Sequence, residues 1–146
     1  MGGQTPVNED RVIVDASVVR TMTEDGPLPE ALAKAVFGKD MKAPDLLLVE
    51  VSNAIWKIAR FTGQPAAKAI ARQTRLLELP IALTPDAMLL PAAMALALRL
   101  PHSVYDCLYL ALAAQLDCAI LTADTRLGKA AASEPDLAQR VRVLAA

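Results

Sequence analysis

The chain has 146 residues, a formal net charge of -1, 54% hydrophobic residues and only 3% aromatics. That balance excludes a protein that coats nucleic acid through bulk positive charge, and it supplies a core of Leu, Ala, Val and Ile sufficient for one domain. No apolar run approaches the roughly 18 residues needed to cross a bilayer, and the opening MGGQTPVNED lacks the basic-then-apolar order of a secretory signal. Residues 1–10 are therefore expected to form a flexible tail and residues 11–146 a single domain, with no membrane association and a cytoplasmic location. Cys107 and Cys118 lie in apolar surroundings and match no metal spacing, which fits reduced core thiols.

The first predicted element is a strand over 11–14 (RVIV), with Asp15-Ala16-Ser17 at its end. A helix begins near Val18, with Asp15 or Ser17 as its cap. Residues 23–29 (TEDGPLP) read as a turn, and 30–37 as a short amphipathic helix stopped by Gly38. Lys42-Ala43 fits a brief strand, Pro44 a first helical turn, and 45–61 a helix ended by Gly63. Gln64-Pro65 opens the next helix, which runs to Leu79 and carries Lys68, Arg72 and Arg75 on a polar face. A strand over 81–84 follows. The Ala- and Leu-rich residues 86–99 form a helix in which Pro91 sits in the first turns or separates two short pieces.

Residues 102–127 (HSVYDCLYLALAAQLDCAILTADTRL) organise the rest. Ser103 caps a helix that is apolar on almost every side. Residues 118–121 then read as a buried strand, with Thr122-Ala123-Asp124 at its end, and 124–132 as a short helix. An edge strand is expected over 141–144. Alternating strands and helices predict a three-layer α/β/α fold with a central parallel sheet.

Four carboxylates stand out. Asp15 and Asp124 follow predicted strands, where a helix cap and a ligand-binding role are both available, because open α/β sheets bind ligands at the carboxyl ends of their strands. Thr122 fits the same local capping purpose. Glu50 interrupts the apolar LLLVEV; its neighbours three and four residues away are Leu46, Leu47, Asn53 and Ala54, so no cation forms a local pair. Asp106 fits a capping box opened by Ser103. A buried carboxylate without a partner is costly, and several together raise one another's pKa unless a cation neutralises them. Oxygen-only ligation points to Mg2+ or Mn2+, bound as one ion or two.

The segments VIVDASVV (12–19), APDLLLVEVSNAIWK (43–57), SVYDCLYLALA (103–113) and LTADTRL (121–127) together resemble PIN-domain ribonucleases, particularly the VapC-like toxins of toxin–antitoxin pairs. They occur in family order and cover nearly the whole chain. The resemblance implies a PIN-like fold, an acidic metal site of Asp15, Glu50, Asp106 and Asp124, and support from the polar Ser17, Asn53 and Thr122. It also implies Mg2+- or Mn2+-dependent cleavage of RNA (tRNA, rRNA or mRNA), a homodimer, and inhibition by a cognate antitoxin protein. Some relatives carry another acidic residue just after the last aspartate; here Thr125 and Arg126 follow Asp124.

Lys57, Arg60, Lys68, Arg72 and Arg75 form a basic stretch without acidic residues. It reads as a solvated face or as a phosphate-positioning rim. Lys57, Arg60 and Arg126 are the candidate RNA contacts, and Trp56 fits packing or base stacking. His102 reads as a surface turn residue, and Tyr105 and Tyr109 as core or rim. Two rival functions remain. A haloacid-dehalogenase-like phosphatase would use Asp15 as nucleophile, although its second aspartate is replaced by Ser17. The other rival is a non-catalytic PIN-fold interaction module.

Overall fold

The computed structural model describes residues 7–144. Five strands, β1 (Asn8–Val14), β2 (Asp40–Pro44), β3 (Ile81–Thr84), β4 (Cys118–Thr122) and β5 (Val141–Val143), form one sheet. Its order is β3-β2-β1-β4-β5 and every pairing is parallel. The helices are α1 (Ala16–Met22), α2 (Glu30–Val36), α3 (Leu46–Thr62), α4 (Ala66–Glu78), α5 (Asp86–Arg99), α6 (Val104–Leu116) and α7 (Thr125–Ala132). Right-handed crossovers send the β1–β2–β3 connections and the β3–β4 connection to opposite faces of the sheet. The expected three-layer α/β/α architecture is therefore observed.

The central strands explain why the chain is apolar in runs rather than in alternation. Val12, Ile13 and Val14 of β1 and all five residues of β4 are buried, as strands covered on both faces must be. Helix α6 buries every residue from Cys107 to Ala113, packing against β1, β4 and β2. Both cysteines are free and buried. Gly63 closes α3 in the left-handed region, at φ 69°, with its N–H on the Ala59 carbonyl.

Two boundaries differ from expectation. Strand β1 starts at Asn8, whose N–H donates to the Asp117 carbonyl at 2.7 Å. Residues 8–10 of the expected tail thus belong to the sheet, while residues 1–6 lie outside the described ones. Pro44 ends β2 opposite Thr84 instead of entering a helix; a last strand position tolerates its missing N–H, and the Asp45 amide continues the ladder to the Thr84 carbonyl. Helix α5 keeps its expected bounds and runs unbroken through Pro91, its sixth residue, which cannot donate to the helix ladder. Among the described residues, no single helix is long and apolar enough to cross a membrane.

Candidate functional site

The strand order reverses between β1 and β4, which opens a crevice at their carboxyl ends. Asp15 and Asp124 both enter it. Asp15 follows β1, is 9% exposed, and caps α1 through one oxygen: Oδ1 accepts from the Ser17 amide (3.0 Å), the Val18 amide (3.3 Å) and the Ser17 hydroxyl (2.5 Å). Ser17 Oγ also accepts from the Ala123 amide at 2.8 Å and lies 3.4 Å from Thr122 Oγ1, which ties the β1 and β4 ends together. Thr122 is fully buried and accepts the Asp124 amide. Asp124 caps α7, its Oδ1 taking the Arg126 amide at 2.9 Å and lying 3.6 Å from Arg126 Nε.

Glu50 projects from α3, half-buried, and its Oε1 accepts from the Tyr109 hydroxyl of α6 at 2.6 Å. Asp106 occupies the first turn of α6. Ser103 caps that helix by accepting the Asp106 amide at 3.4 Å, but among the described residues the Asp106 carboxylate accepts no hydrogen bond in return. The capping box is half closed. His102, Asp106 and Asp124 bring one ligand atom each within 4.8 Å of one another.

The electrostatics follow from this packing. Burial pushes the Asp15 carboxyl above its ordinary value, against the hydrogen bonds of Ser17, Thr122 and the backbone. Burial also raises Glu50; the Tyr109 hydroxyl opposes the rise, and Asp106, Asp15 and Asp86 reinforce it. Asp106 is raised by burial first, held back by His102 and Arg126 and pushed further by Asp124. Glu50 thus senses the charges of Asp106 and Asp15, and Asp106 senses that of Asp124. Asp15, Glu50 and Asp124 each have one carboxylate oxygen anchored by a protein donor. Anchored carboxylate oxygens beside an Asp106 carboxylate that accepts no hydrogen bond among the described residues suit a hard divalent cation.

Two side chains take roles that the sequence did not assign them, Tyr109 having been placed only in core or rim. Tyr109 is buried and holds Glu50, whereas Tyr105 is 63% exposed; the signal available was Tyr109's spacing of three from Asp106 on one helical face. Asp86 opens α5 two residues after β3, and its Oδ1 accepts the Leu46 amide at 3.1 Å, capping α3 from forty residues away. His102, expected at the surface, is only partly exposed, and its Nδ1 is buried.

The outer candidates divide. Lys57, Arg60, Lys68 and Asn53 are exposed, and the Arg126 side chain is 86% exposed. Trp56 is 54% exposed in a groove between α3 and α4 lined also by Arg60, Gln64 and Ile70. Arg72 does not belong to a polar face: it is 6% exposed and donates to Thr23 Oγ1 and the Arg20 carbonyl. Arg75 donates to the Thr23 carbonyl and to Asp25. These two arginines fasten α4 to the end of α1, so the basic rim is narrower than the charge pattern suggested.

A family model described as PIN domain matches residues 12–133. No curated protein matches the chain in sequence. Among solved structures, the fold is similar to a crystal structure from Pyrobaculum aerophilum (TM-score 0.61, 20% identity), covering 90% of this chain and 82% of that one. It is also similar to a structure titled as a toxin-antitoxin complex from Klebsiella pneumoniae (TM-score 0.55, 13% identity), covering 90% of this chain and 96% of that one.

Proposed function

The chain belongs to the PIN-domain family, and from that premise we propose that it is a metal-dependent endoribonuclease and the toxin of a toxin–antitoxin pair. The observation that supports the reading is the placement of Asp106 and Asp124 within ligand distance of one another beside the β1/β4 crevice, with Asp15 at the end of β1 and Glu50 close enough to sense both Asp15 and Asp106. Asp15, Asp106 and Asp124 would hold Mg2+ or Mn2+, with Glu50 direct or through water. When bound, such a cation supplies polarisation of a phosphodiester and activation of water.

The chain's own residues do the positioning. Ser17 and the α1 amides fix Asp15 by one oxygen so that the other points onward, and Tyr109 fixes Glu50 in the same way. Arg126 offsets part of the negative charge beside Asp124. Exposed Lys57, Arg60 and Arg126 would meet RNA phosphates, giving affinity without base specificity. Exposed apolar side chains, Trp56, Phe61 and Ile70 on α3 and α4 and Met94 and Leu98 on α5, offer surfaces for a homodimer partner and a cognate antitoxin. A cytoplasmic setting accords with both free thiols. PIN membership removes the haloacid-dehalogenase alternative.

The test is incubation of purified, partner-free protein with a panel of structured and unstructured RNAs in Mg2+ or Mn2+, beside Asp15→Asn. Metal-dependent cleavage that the substitution abolishes is the expected result. Metal binding without cleavage of any RNA in the panel would favour the non-catalytic interaction module.

A further inference from the structure

We propose that His102 is a further metal ligand of this centre, its imidazole sharing the cation with Asp106 and Asp124 and biasing the site toward Mn2+ over Mg2+. The inference rests on the metal-centre reading above and extends it beyond the four carboxylates. His102 lies in the Pro101–Ser103 turn just before α6, so the same cap that starts that helix holds the imidazole beside its first turn. A ring nitrogen lies within 4.8 Å of ligand oxygens of both Asp106 and Asp124. Among the described residues, neither ring nitrogen comes within 4.0 Å of a carboxylate oxygen, so the imidazole forms no direct ion pair. That gap suits an interposed ion, since two ligands facing each other across one cation at ~2.1 Å each stand roughly 4.2 Å apart.

The second observation is independent of the spacing. His102 Nδ1 is buried and, among the described residues, has no hydrogen-bond partner. A buried ring nitrogen left without a partner is costly, and among the described residues the Asp106 carboxylate likewise accepts no hydrogen bond. One cation would serve the imidazole and the carboxylates together. The selectivity follows from ligand chemistry: carboxylate oxygens accept Mg2+ and Mn2+ alike, whereas imidazole nitrogen suits transition metals and is a poor replacement for an oxygen around Mg2+. An alternative use exists nearby, because His102 also lines a cleft of about 550 Å³ with Arg126 and Lys129. There an imidazole would touch substrate phosphate instead of metal.

Equilibrium binding separates these. Mn2+ affinity is read by electron paramagnetic resonance of the free ion and Mg2+ affinity by calorimetry, on the full chain and on His102→Gln, His102→Ala and Asp124→Asn, each checked by circular dichroism. Both His102 variants are expected to lose about tenfold or more in Mn2+ affinity, with a much smaller change for Mg2+, and the visible spectrum of Co2+-loaded protein should change on loss of the nitrogen ligand. Asp124→Asn should weaken both ions. An unchanged Mn2+/Mg2+ ratio in folded His102 variants overturns the proposal, as does a loss confined to RNA affinity. If the unsubstituted chain binds neither ion, the metal-centre reading fails and this inference with it.

Discussion

The sharpest test of the acidic centre is a crossing of stabilities at Asp15. Its Oδ1 accepts three hydrogen bonds from Ser17 and Val18, while its carboxyl is 9% exposed and raised by burial. Asp15→Asn keeps an oxygen acceptor for the cap and removes the buried charge. Without metal it should therefore melt at or above the temperature of the unsubstituted chain. Asp15→Ala removes the charge and the cap together, and the cap alone is worth about 1 kcal/mol. For a chain of this size that separates Ala from Asn by roughly 2–4 °C. Excess Mn2+ reverses the order of the first pair. Binding at one hundred times Kd stabilises by about 2.7 kcal/mol, or roughly 5–11 °C, and only the chain retaining Asp15 collects it in full. Thermal melts in chelator and in saturating Mn2+ measure both limbs. If Asp15→Asn melts lower in chelator, the charge is not a cost to the fold. If both chains gain equally from Mn2+, the ion binds elsewhere.

Four other outcomes follow from the packing. Thr23→Val strips the buried Arg72 guanidinium of its hydroxyl acceptor and should cost about 1.5–3 kcal/mol in urea unfolding; a change under a few tenths would mean that Arg72 finds another acceptor. Tyr109→Phe removes the bond that holds Glu50 down, so its carboxyl, already raised by burial, should titrate higher still by carbon NMR; a downward move would contradict the assignment of that bond. A Cβ on Gly128 would meet Val143 Cγ2 at 2.6 Å, so Gly128→Ala should destabilise by about 1–3 kcal/mol despite its better helix propensity, and adding Val143→Ala should restore most of the loss in a double-mutant cycle. Finally, Asp15, Glu50 and Asp106 have folded values above the ordinary 3.8 of aspartate and 4.5 of glutamate. Their contribution is thus fully present below those ordinary values and lost as pH rises through the folded ones. Metal-free stability should therefore carry a downward slope from these groups as pH rises from the ordinary carboxylate range through their folded values, which saturating Mn2+ flattens.

The legible parts of this chain were those with local causes. Val12 to Val14 and Cys118 to Leu121 announced doubly covered strands by unbroken apolar runs, and Gly63 ended its helix where a left-handed cap was needed. The parts that were not legible depend on pairings distant in sequence. Asn8 belongs to a strand because the Asp117 carbonyl, 109 positions later, accepts its N–H. Arg72 looked solvated because charge at helical spacing usually is; only the approach of Thr23, 49 positions earlier, buries it. Asp86 is silent as a dipeptide and becomes a cap only when β3 lies beside β2.

The carboxylates themselves posed a choice in the sequence, helix cap or ligand, and the structure shows caps that do not preclude the proposed ligand role. A carboxylate has two oxygens, and a cap needs one. Asp15 spends Oδ1 on the α1 amides and Asp124 spends Oδ1 on the Arg126 amide of α7. Each bond fixes the rotation of its carboxyl group and so aims the second oxygen, which is the orientation a metal ligand requires and a free surface aspartate lacks. Glu50, inside a helix, has no amide to cap and obtains the same fixation from the Tyr109 hydroxyl. Asp106 alone is left without an anchor among the described residues, its helix being capped by Ser103. Capping is then the means by which short strand-end turns hold an acidic centre rigid, and it explains why these acids stand at helix starts, where the exposed amides partly offset their charge.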